Sequence, residues 1–206
     1  PRLYAAMIAV QALGAVPGKQ AATELVKVIT AEGMPTEIAK TAGDVLSKRK
    51  DDPKEITALV VSALRQSYDY LEDKRPRGLD VLSRVATALS IKEAVPVLAE
   101  RLLDPNTPAA ALKDVVLALT KLGGKDAIGP LRNALLVYRA DPQFASDPDV
   151  LRRTGEGLLA LGGEPERRLL QYVSMEPRTL PGLQTHFRKV LDDRATPKVT
   201  KPTATK

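Results

Sequence analysis

Several residue types on which common functional sites depend are missing from this chain of 206 residues. It contains no cysteine, no tryptophan and a single histidine. Without cysteine there is no disulfide, no thiol nucleophile and no cysteine-ligated zinc or iron–sulfur centre. A single histidine also excludes the metal motifs that need two. No apolar run approaches the 18 residues that a membrane-spanning helix requires, so we expect no membrane span.

Aromatic residues are scarce as well, at 3% of the chain, whereas apolar residues make up 44% and charged residues 27%. β-Sheets depend on aromatic and β-branched residues, so an all-β fold is disfavoured. Alanine and leucine dominate instead, and both favour helices. The composition therefore predicts a globular helical protein. It leaves the compartment open between the cytoplasm and a bacterial periplasm.

What the chain has in abundance is a repeated helical pattern. A leucine, called here the anchor leucine, precedes a turn at four places, and a second leucine lies ten residues before each. The four pairs are Leu3 and Leu13, Leu79 and Leu89, Leu112 and Leu122, and Leu151 and Leu161. Further matching positions lie seven and three residues before the anchor. These offsets put the repeated positions on one face of an amphipathic helix.

Each of these helices begins and ends in a similar way. A proline opens the first turn, where no N–H donor is needed, and a small residue follows the anchor leucine, where the chain leaves the helix. A second apolar helix comes next each time. A fifth, degenerate copy opens at Pro35, with Leu46 as its anchor. We therefore predict five helical hairpins over about 1–33, 34–72, 73–105, 106–141 and 146–176, followed by a last helix over 181–193.

Three segments carry a resemblance to a known family: PRLYAAMIAVQALG, TPAAALKDVVLALTKLGGKDAIGPL and DPDVLRRTGEGLLALGGEPERRLL. They resemble the HEAT-repeat proteins, in particular their short bacterial repeat. The resemblance extends over about residues 1–193 and is weakest in the second repeat. It implies an all-α fold, a right-handed α-solenoid of about five stacked hairpins plus a C-terminal helix. It also implies a scaffold that binds other proteins.

The two ends of the chain depart from the repeat. The first helix, with LYAAMIAV from Leu3, is apolar nearly all round, although a terminal repeat normally has a polar outer face. We expect either an upstream repeat or capping element, or a contact with a second copy. Residues 195–206 have no periodic apolar face and predict a basic, disordered tail or linker. This tail carries three of the six excess positive charges, so the repeat region is nearly balanced.

No motif in the sequence indicates catalysis. His186 lies at the edge of the last apolar stripe, without a second histidine or a cysteine that could share a metal. The sequence GGKD at Gly123 lacks the spacer and the preceding strand of a phosphate-binding loop. The Asp-Pro pairs at helix starts are explained by capping. We predict no catalytic residue, no cofactor and no metal, and hence no enzyme.

The candidate partner-binding residues are two tyrosines and three arginines. Tyr68 and Tyr70 lie in SYDYLEDKRPRG, within the longest interval between anchors, and insertions in solenoids often mark a binding face. The alternative interpretation is that the preceding helix extends and buries one of them. Arg65, Arg101 and Arg132 belong to second helices, where they could line a groove.

Two functions remain open. The first is a non-enzymatic scaffold that binds another protein along a groove lined by its second helices. The second is DNA binding or repair, as in the HEAT-like DNA glycosylases. A row that tracks phosphates would keep its basic residues at one repeat position, and the basic residues of the second helices do not. Few aromatics are available for base stacking either. Nucleic acid is therefore the less favoured partner.

Overall fold

The computed structural model describes residues 2–66, 68–69, 71–72 and 74–195. About 74% of the chain is helical, and no strand occurs among the described residues, so the all-α prediction is confirmed. Three short 3-10 helices cover Lys92–Ala94, Gly124–Ala127 and Pro142–Phe144. The α-helices of the described residues are α1 (Arg2–Leu13), α2 (Lys19–Thr30), α3 (Thr36–Ser47), α4 (Pro53–Leu64), α5 (Leu79–Ala88), α6 (Val95–Leu103), α7 (Ala109–Leu122), α8 (Ile128–Tyr138), α9 (Asp149–Leu161), α10 (Glu164–Met175) and α11 (Pro181–Ala195).

The helices pack in two rows. In the odd row, α1, α3, α5, α7 and α9 each contact the next odd helix, and the row ends with α11. In the even row, α2 contacts α4, α4 contacts α6, and α6 contacts α8, while α10 packs against α9 and α11. Consecutive helices such as α2 and α3, or α8 and α9, join the two rows. Each element therefore contacts mainly its close neighbours along the chain.

The repeated apolar positions account for much of the core between the rows. Leu79, Leu112 and Leu151, which precede three of the anchors by ten residues, are all nearly fully buried. Leu3 occupies the same repeat position but is 44% exposed. The sequence pattern predicted one buried face for all four helices, and for α1 this is only partly right. The reason is that α2 and α3 cover α1, and no described helix packs against its other side.

The C-terminal end is closed by α11. Leu183 and Phe187 are fully buried, and Phe187 fills the space beside Gly155, where an added Cβ would lie only 2.3 Å from its ring. The outward side of α11 exposes polar residues such as Thr185 and Lys189. The helix starts at Pro181 and extends to Ala195. The rest of the predicted tail, residues 196–206, lies outside the described residues.

Candidate functional site

The loop between α4 and α5, residues 65–78, contains three of the five predicted binding residues. Arg65 caps the C-terminal end of α4 directly after Leu64, and it is exposed. Tyr68 is half-buried. Tyr70 lies outside the described residues, and its binding role stays a prediction. The helix α4 itself ends at Leu64 and does not extend into the tyrosine segment.

The tip of this loop is a tight turn fixed by one aspartate. Asp69 and Lys74 exchange two backbone hydrogen bonds, with N–O distances of 2.8 and 3.1 Å. The Asp69 carboxylate accepts a hydrogen bond from the backbone N–H of Leu71 at 2.9 Å and another from that of Glu72 at 3.3 Å. As a result, the Leu71 side chain is 96% exposed at the tip. A large apolar side chain this exposed is a candidate contact for a partner.

The base of the loop is tied to the helices on both sides of it. The Gln66 side chain donates to the Ala63 carbonyl at 2.7 Å and accepts from the backbone N–H of Arg77. The Gln66 carbonyl accepts a hydrogen bond of 2.5 Å from the Arg101 guanidinium, which belongs to α6. Arg77 pairs with Glu32 at 2.5 Å. The loop is therefore anchored to α6 and to the segment after α2.

Arg101 differs from the sequence-based expectation of a surface arginine. It is 8% exposed, and besides the Gln66 carbonyl it pairs with Asp104 at 3.0 Å. Burial of a guanidinium requires such partners, since an uncompensated buried charge is strongly destabilising. Its guanidinium is bound within the chain, so Arg101 is not available at the surface to contact a partner.

Arg132 also has a partner within the chain. Its guanidinium, which is 43% exposed, lies 2.5 Å from the carboxylate of the buried Glu166. That carboxylate also accepts the backbone N–H of Gly163 at 2.8 Å, and this hydrogen bond is the main reason why the pKa of Glu166 is lowered. Glu166 stands where other copies have Ala94 and Ala127. The pair joins α8 to the start of α10, so Arg132, predicted to contact a partner, is already engaged within the chain.

The even row instead presents apolar side chains that sequence reasoning missed. Leu103 is 38% exposed, Leu136 is half-buried and Met175 is 67% exposed. Val137 and Tyr172 are exposed beside them in sequence. We call these five residues the even-row stripe. Three of its members follow a fully buried leucine by five residues, and those leucines are Leu98, Leu131 and Leu170.

The repeat register could have identified this stripe. Once the second helices are aligned on Leu98, Leu131 and Leu170, an apolar residue at the fifth following position is visible in the sequence. A residue five positions after a buried one lies about 140° around the helix, which is away from the core. At this position Leu103 and Met175 are exposed, whereas Leu136 is partly buried and packs against the core. The exposed members indicate a contact surface rather than a core.

Charged residues on the even row are of mixed sign and largely pair with each other. On α10, Glu164 lies 3.1 Å from both Arg167 and Arg168, which lowers the pKa of its carboxyl group. On α2, Lys27 pairs with Glu24 at 2.8 Å. A surface of this kind offers apolar contacts between balanced charges. A groove for a phosphate backbone would instead carry an excess of cations.

The described residues offer no arrangement typical of catalysis. The Nε2 atom of His186 lies 2.9 Å from the Glu156 carboxylate, close to the surface. No group of three or more metal-ligating side chains occurs in the described part of the chain. None of the helices described is long and apolar enough to cross a membrane.

An open groove of about 760 Å³ lies between the C-terminal ends of α1 and α3. Arg49 forms part of its wall and donates to the carbonyls of Leu13 and Val16 at 3.2 and 3.0 Å. It also pairs with Asp51 at 2.5 Å, and Asp51 in turn accepts the backbone N–H of Gly18. These hydrogen bonds join the α1–α2 connection to the loop after α3, so the groove lies at the junction of the first two hairpins.

Comparisons with known proteins add no relative to this picture. No protein-family model, no curated protein and no solved structure matches the chain. The resemblance to HEAT repeats therefore depends on the repeated residues alone and stays a prediction.

Proposed function

We propose that this chain is a right-handed α-solenoid of the HEAT-like kind and that it binds another protein along its even row without catalysing a reaction. The order of helix contacts supports a stack, because each odd helix packs on the next odd helix, and α2, α4, α6 and α8 do the same. A single hairpin cannot bury its apolar stripe alone. A stack of hairpins can, and it then presents an extended surface to a partner.

The even-row stripe is the observation on which the proposal depends. Leu103, Leu136 and Met175 occupy the same register on α6, α8 and α10. The helices α6 and α8 pack on each other, so Leu103 and Leu136 form two anchors about 8–10 Å apart. In an α-helix, residues seven apart are separated by about 10.5 Å along the axis. The stripe therefore suits an amphipathic helix with an apolar residue at every seventh position.

The loop at residues 65–78 supplies a second contact in this proposal. Leu71 is exposed at its tip, and Arg65 and Tyr68 belong to the same loop. Arg101 ties the loop to α6, which also carries Leu103. Apolar and aromatic side chains on an anchored loop lose little conformational entropy on binding, and this favours their use in interfaces.

DNA binding remains the alternative, but the arginines give it little support. Arg101 is buried, and Arg132 is paired with Glu166. A DNA-binding solenoid would need such side chains free to meet phosphates. Measuring binding to duplex DNA at several salt concentrations distinguishes the two functions. A steep loss of affinity with salt would favour DNA, because phosphate contacts release counterions.

A matched pair of leucines allows a direct test of protein binding. Leu103 on α6 and Leu117 on α7 are almost equally exposed, at 38% and 36%, but they belong to different rows. We would place a photo-crosslinking residue at position 137 and irradiate the chain in extract from its source cells. We expect one dominant protein adduct, which Leu103→Glu removes and Leu117→Glu retains.

Both variants would first be checked by circular dichroism and thermal unfolding. Equal adduct formation in the two variants would show that the even row is not the binding surface. Absence of any adduct, together with substrate turnover by the purified chain, would contradict the scaffold function itself.

A further inference from the structure

The outward sides of α4, α6 and α8 repeat one arrangement of side chains. A fully buried residue, which follows another buried residue by four positions, aligns the three helices; these residues are Val60, Leu98 and Leu131. The residues two positions later are all exposed, and they are Ser62, Glu100 and Asn133. Two residues correspond to about 200° around a helix, so these three lie on the side opposite the core. Only Glu100 among them is charged.

The even-row stripe continues onto α4 as a cation. Five positions after the buried residue, α6 has Leu103 and α8 has Leu136, whereas the matching residue after α4 is Arg65. Arg65 is exposed, and the carbonyl of its neighbour Gln66 accepts a hydrogen bond from Arg101 of α6. Arg65 is therefore held beside the helix that carries Leu103.

The charges of Glu100 and Arg65 are both available to a partner. The sequence of α6 contains one other charged residue, Arg101, which is buried and paired with Asp104. Neither the Glu100 carboxylate nor the Arg65 guanidinium forms an ion pair within the described part of the chain. Two exposed opposite charges that do not meet each other favour a partner with the complementary charges at the same spacing.

Small residues leave room for a helix over this surface. They lie seven positions, or about two turns, before the residues of the stripe. They are Ala58, Pro96 and Gly129, and all three are exposed. A Cβ added at Gly129 would meet nothing within 4 Å. A helix that crosses the even row can therefore lie over these small residues with its apolar side against Leu103 and Leu136.

We infer that the partner of the even row contacts this surface through an amphipathic helix with a defined charge pattern. Two apolar residues seven positions apart meet Leu103 and Leu136, and an acidic residue a further seven positions beyond the one at Leu103 meets Arg65. A basic residue one turn from the apolar residue at Leu103 meets Glu100.

The spacing of this pattern follows from helix packing. The helices α4, α6 and α8 pack in that order at about 8–10 Å, and seven residues of a helix span about 10.5 Å. Exposed charges of opposite sign contribute modestly to affinity but select the partner and its register. The inference rests on the proposed function, because it specifies the partner that the even-row stripe binds.

These three helices lie inside the even row and not at an end of it. On one side α2 packs against α4, and on the other the Arg132–Glu166 pair joins α8 to α10. Repeats stacked on either end of a solenoid extend its rows along the axis, so they would leave this side uncovered. The sequence of residues 195–206 does not have the pattern either, since it contains no acidic residue and one large apolar residue, Val199. A separate chain is therefore the expected occupant.

A display library of helical peptides tests the charge pattern. Each peptide carries leucine at two positions seven residues apart, and lysine, glutamate or glutamine at the positions around them. Display in many copies retains weak binders. Selection against the full chain should enrich glutamate seven positions from one leucine, on the side away from the other. It should also enrich lysine three or four positions from that same leucine.

Charge reversals on the chain then test each contact. Glu100→Lys and Arg65→Glu should each weaken binding of the selected peptide about fivefold to tenfold, and more at low salt. Reversal of the matching charge in the peptide should restore the affinity. Glu37→Lys and Lys40→Glu are the matched controls on α3 of the odd row, where both residues are exposed, and should leave binding unchanged.

The Leu103→Glu variant separates failure of the inference from failure of the proposed function. If Leu103→Glu abolishes binding but both charge reversals have no effect, the charge pattern is wrong and the even row is still the binding surface. If no peptide is enriched, or if the selected peptides bind Leu103→Glu as well as the parent chain, the even row is not a binding surface. The inference and the proposed function then fail together.

Discussion

The two ends of the odd row differ in how they meet solvent. At the C-terminal end, α11 buries Leu183 and Phe187 and exposes polar residues such as Lys189. At the N-terminal end, α1 buries Val10 and exposes Tyr4 and other apolar residues on its remaining sides. Both helices follow the same 3.6-residue period. What closes one end and leaves the other open is therefore the polarity of the side that faces away from the chain.

The ends also differ in what holds them to their neighbours. Phe187 fills the space beside Gly155, so apolar packing secures α11. The α1–α2 hairpin is secured in part by polar contacts, because Arg49 donates to the carbonyls of Leu13, Val16 and Gly18. The attachment of α11 therefore depends on the apolar packing of Phe187. The attachment of the α1–α2 hairpin depends also on the hydrogen bonds of the buried Arg49 guanidinium.

Truncation of Phe187 should have the largest effect on stability. Phe187→Ala removes a fully buried ring and leaves a cavity against α9, so we expect a loss of about 3–5 kcal/mol in the free energy of unfolding. Tyr4→Ala removes an aromatic ring of the opposite end that is 71% exposed, and should change stability by less than about 0.5 kcal/mol. Urea unfolding of both variants at high dilution measures the difference. Equal losses would contradict the contrast between a closed and an open end.

Removal of the Arg49 guanidinium should detach the N-terminal hairpin. Arg49→Met keeps much of the side-chain volume but leaves three carbonyls without their donor, and we expect a loss of about 2–3 kcal/mol. Hydrogen exchange should show faster exchange in α1 and α2 and unchanged protection in α11. Lys50→Met, at an exposed neighbouring position, is the control. A uniform loss of protection along the chain would show that the network does not act locally.

Equivalent alanines in two helices allow a sharper comparison. Ala118 of α7 and Ala9 of α1 both lie four residues before an anchor leucine, but Ala118 is fully buried and Ala9 is exposed. Ala118→Leu overfills the contact with α5 and should cost about 1–2 kcal/mol. Ala9→Leu should be within about 0.5 kcal/mol of the parent chain. A similar cost at both positions in urea unfolding would mean that α1 is covered in the isolated chain.

The sequence predicted best those features that depend on helical periodicity. The buried positions at Leu79, Leu112 and Leu151 follow from the repeat, because residues spaced by three and four share one face of a helix. The exposure of Leu3, at the same repeat position, could not be predicted in this way. Whether an apolar face is covered depends on a neighbouring helix, and the pattern of one helix does not show whether that neighbour is present.

The binding residues were harder to predict, because long side chains are placed by their partners. Arg101 and Arg132 look alike in sequence, yet one is buried near Asp104 and the other is paired with Glu166. These pairings depend on the path of the loop and the start of α10. Leu71 was missed because its exposure results from a turn that the Asp69 side chain fixes. The partner-binding role of Tyr68 and Tyr70 in that loop stays a prediction.

The smallest expected effect concerns the ion pair between Arg132 and Glu166, which holds the start of α10 near the C-terminal end. It corresponds to the pair of Arg49 and Asp51 near the N-terminal end. The Gly163 N–H and then Arg132 lower the pKa of Glu166 below its ordinary value of 4.5. Its contribution to stability is therefore full above that value and is lost as pH falls through the lowered pKa. Glu166→Gln should cost about 1 kcal/mol near neutral pH, and the difference from the parent chain should shrink in acid. Thermal unfolding over a pH series measures it, with Glu55→Gln at an exposed position of α4 as the control. A deficit that stays constant with pH would mean that Glu166 stabilises the start of α10 through its shape and not through its charge.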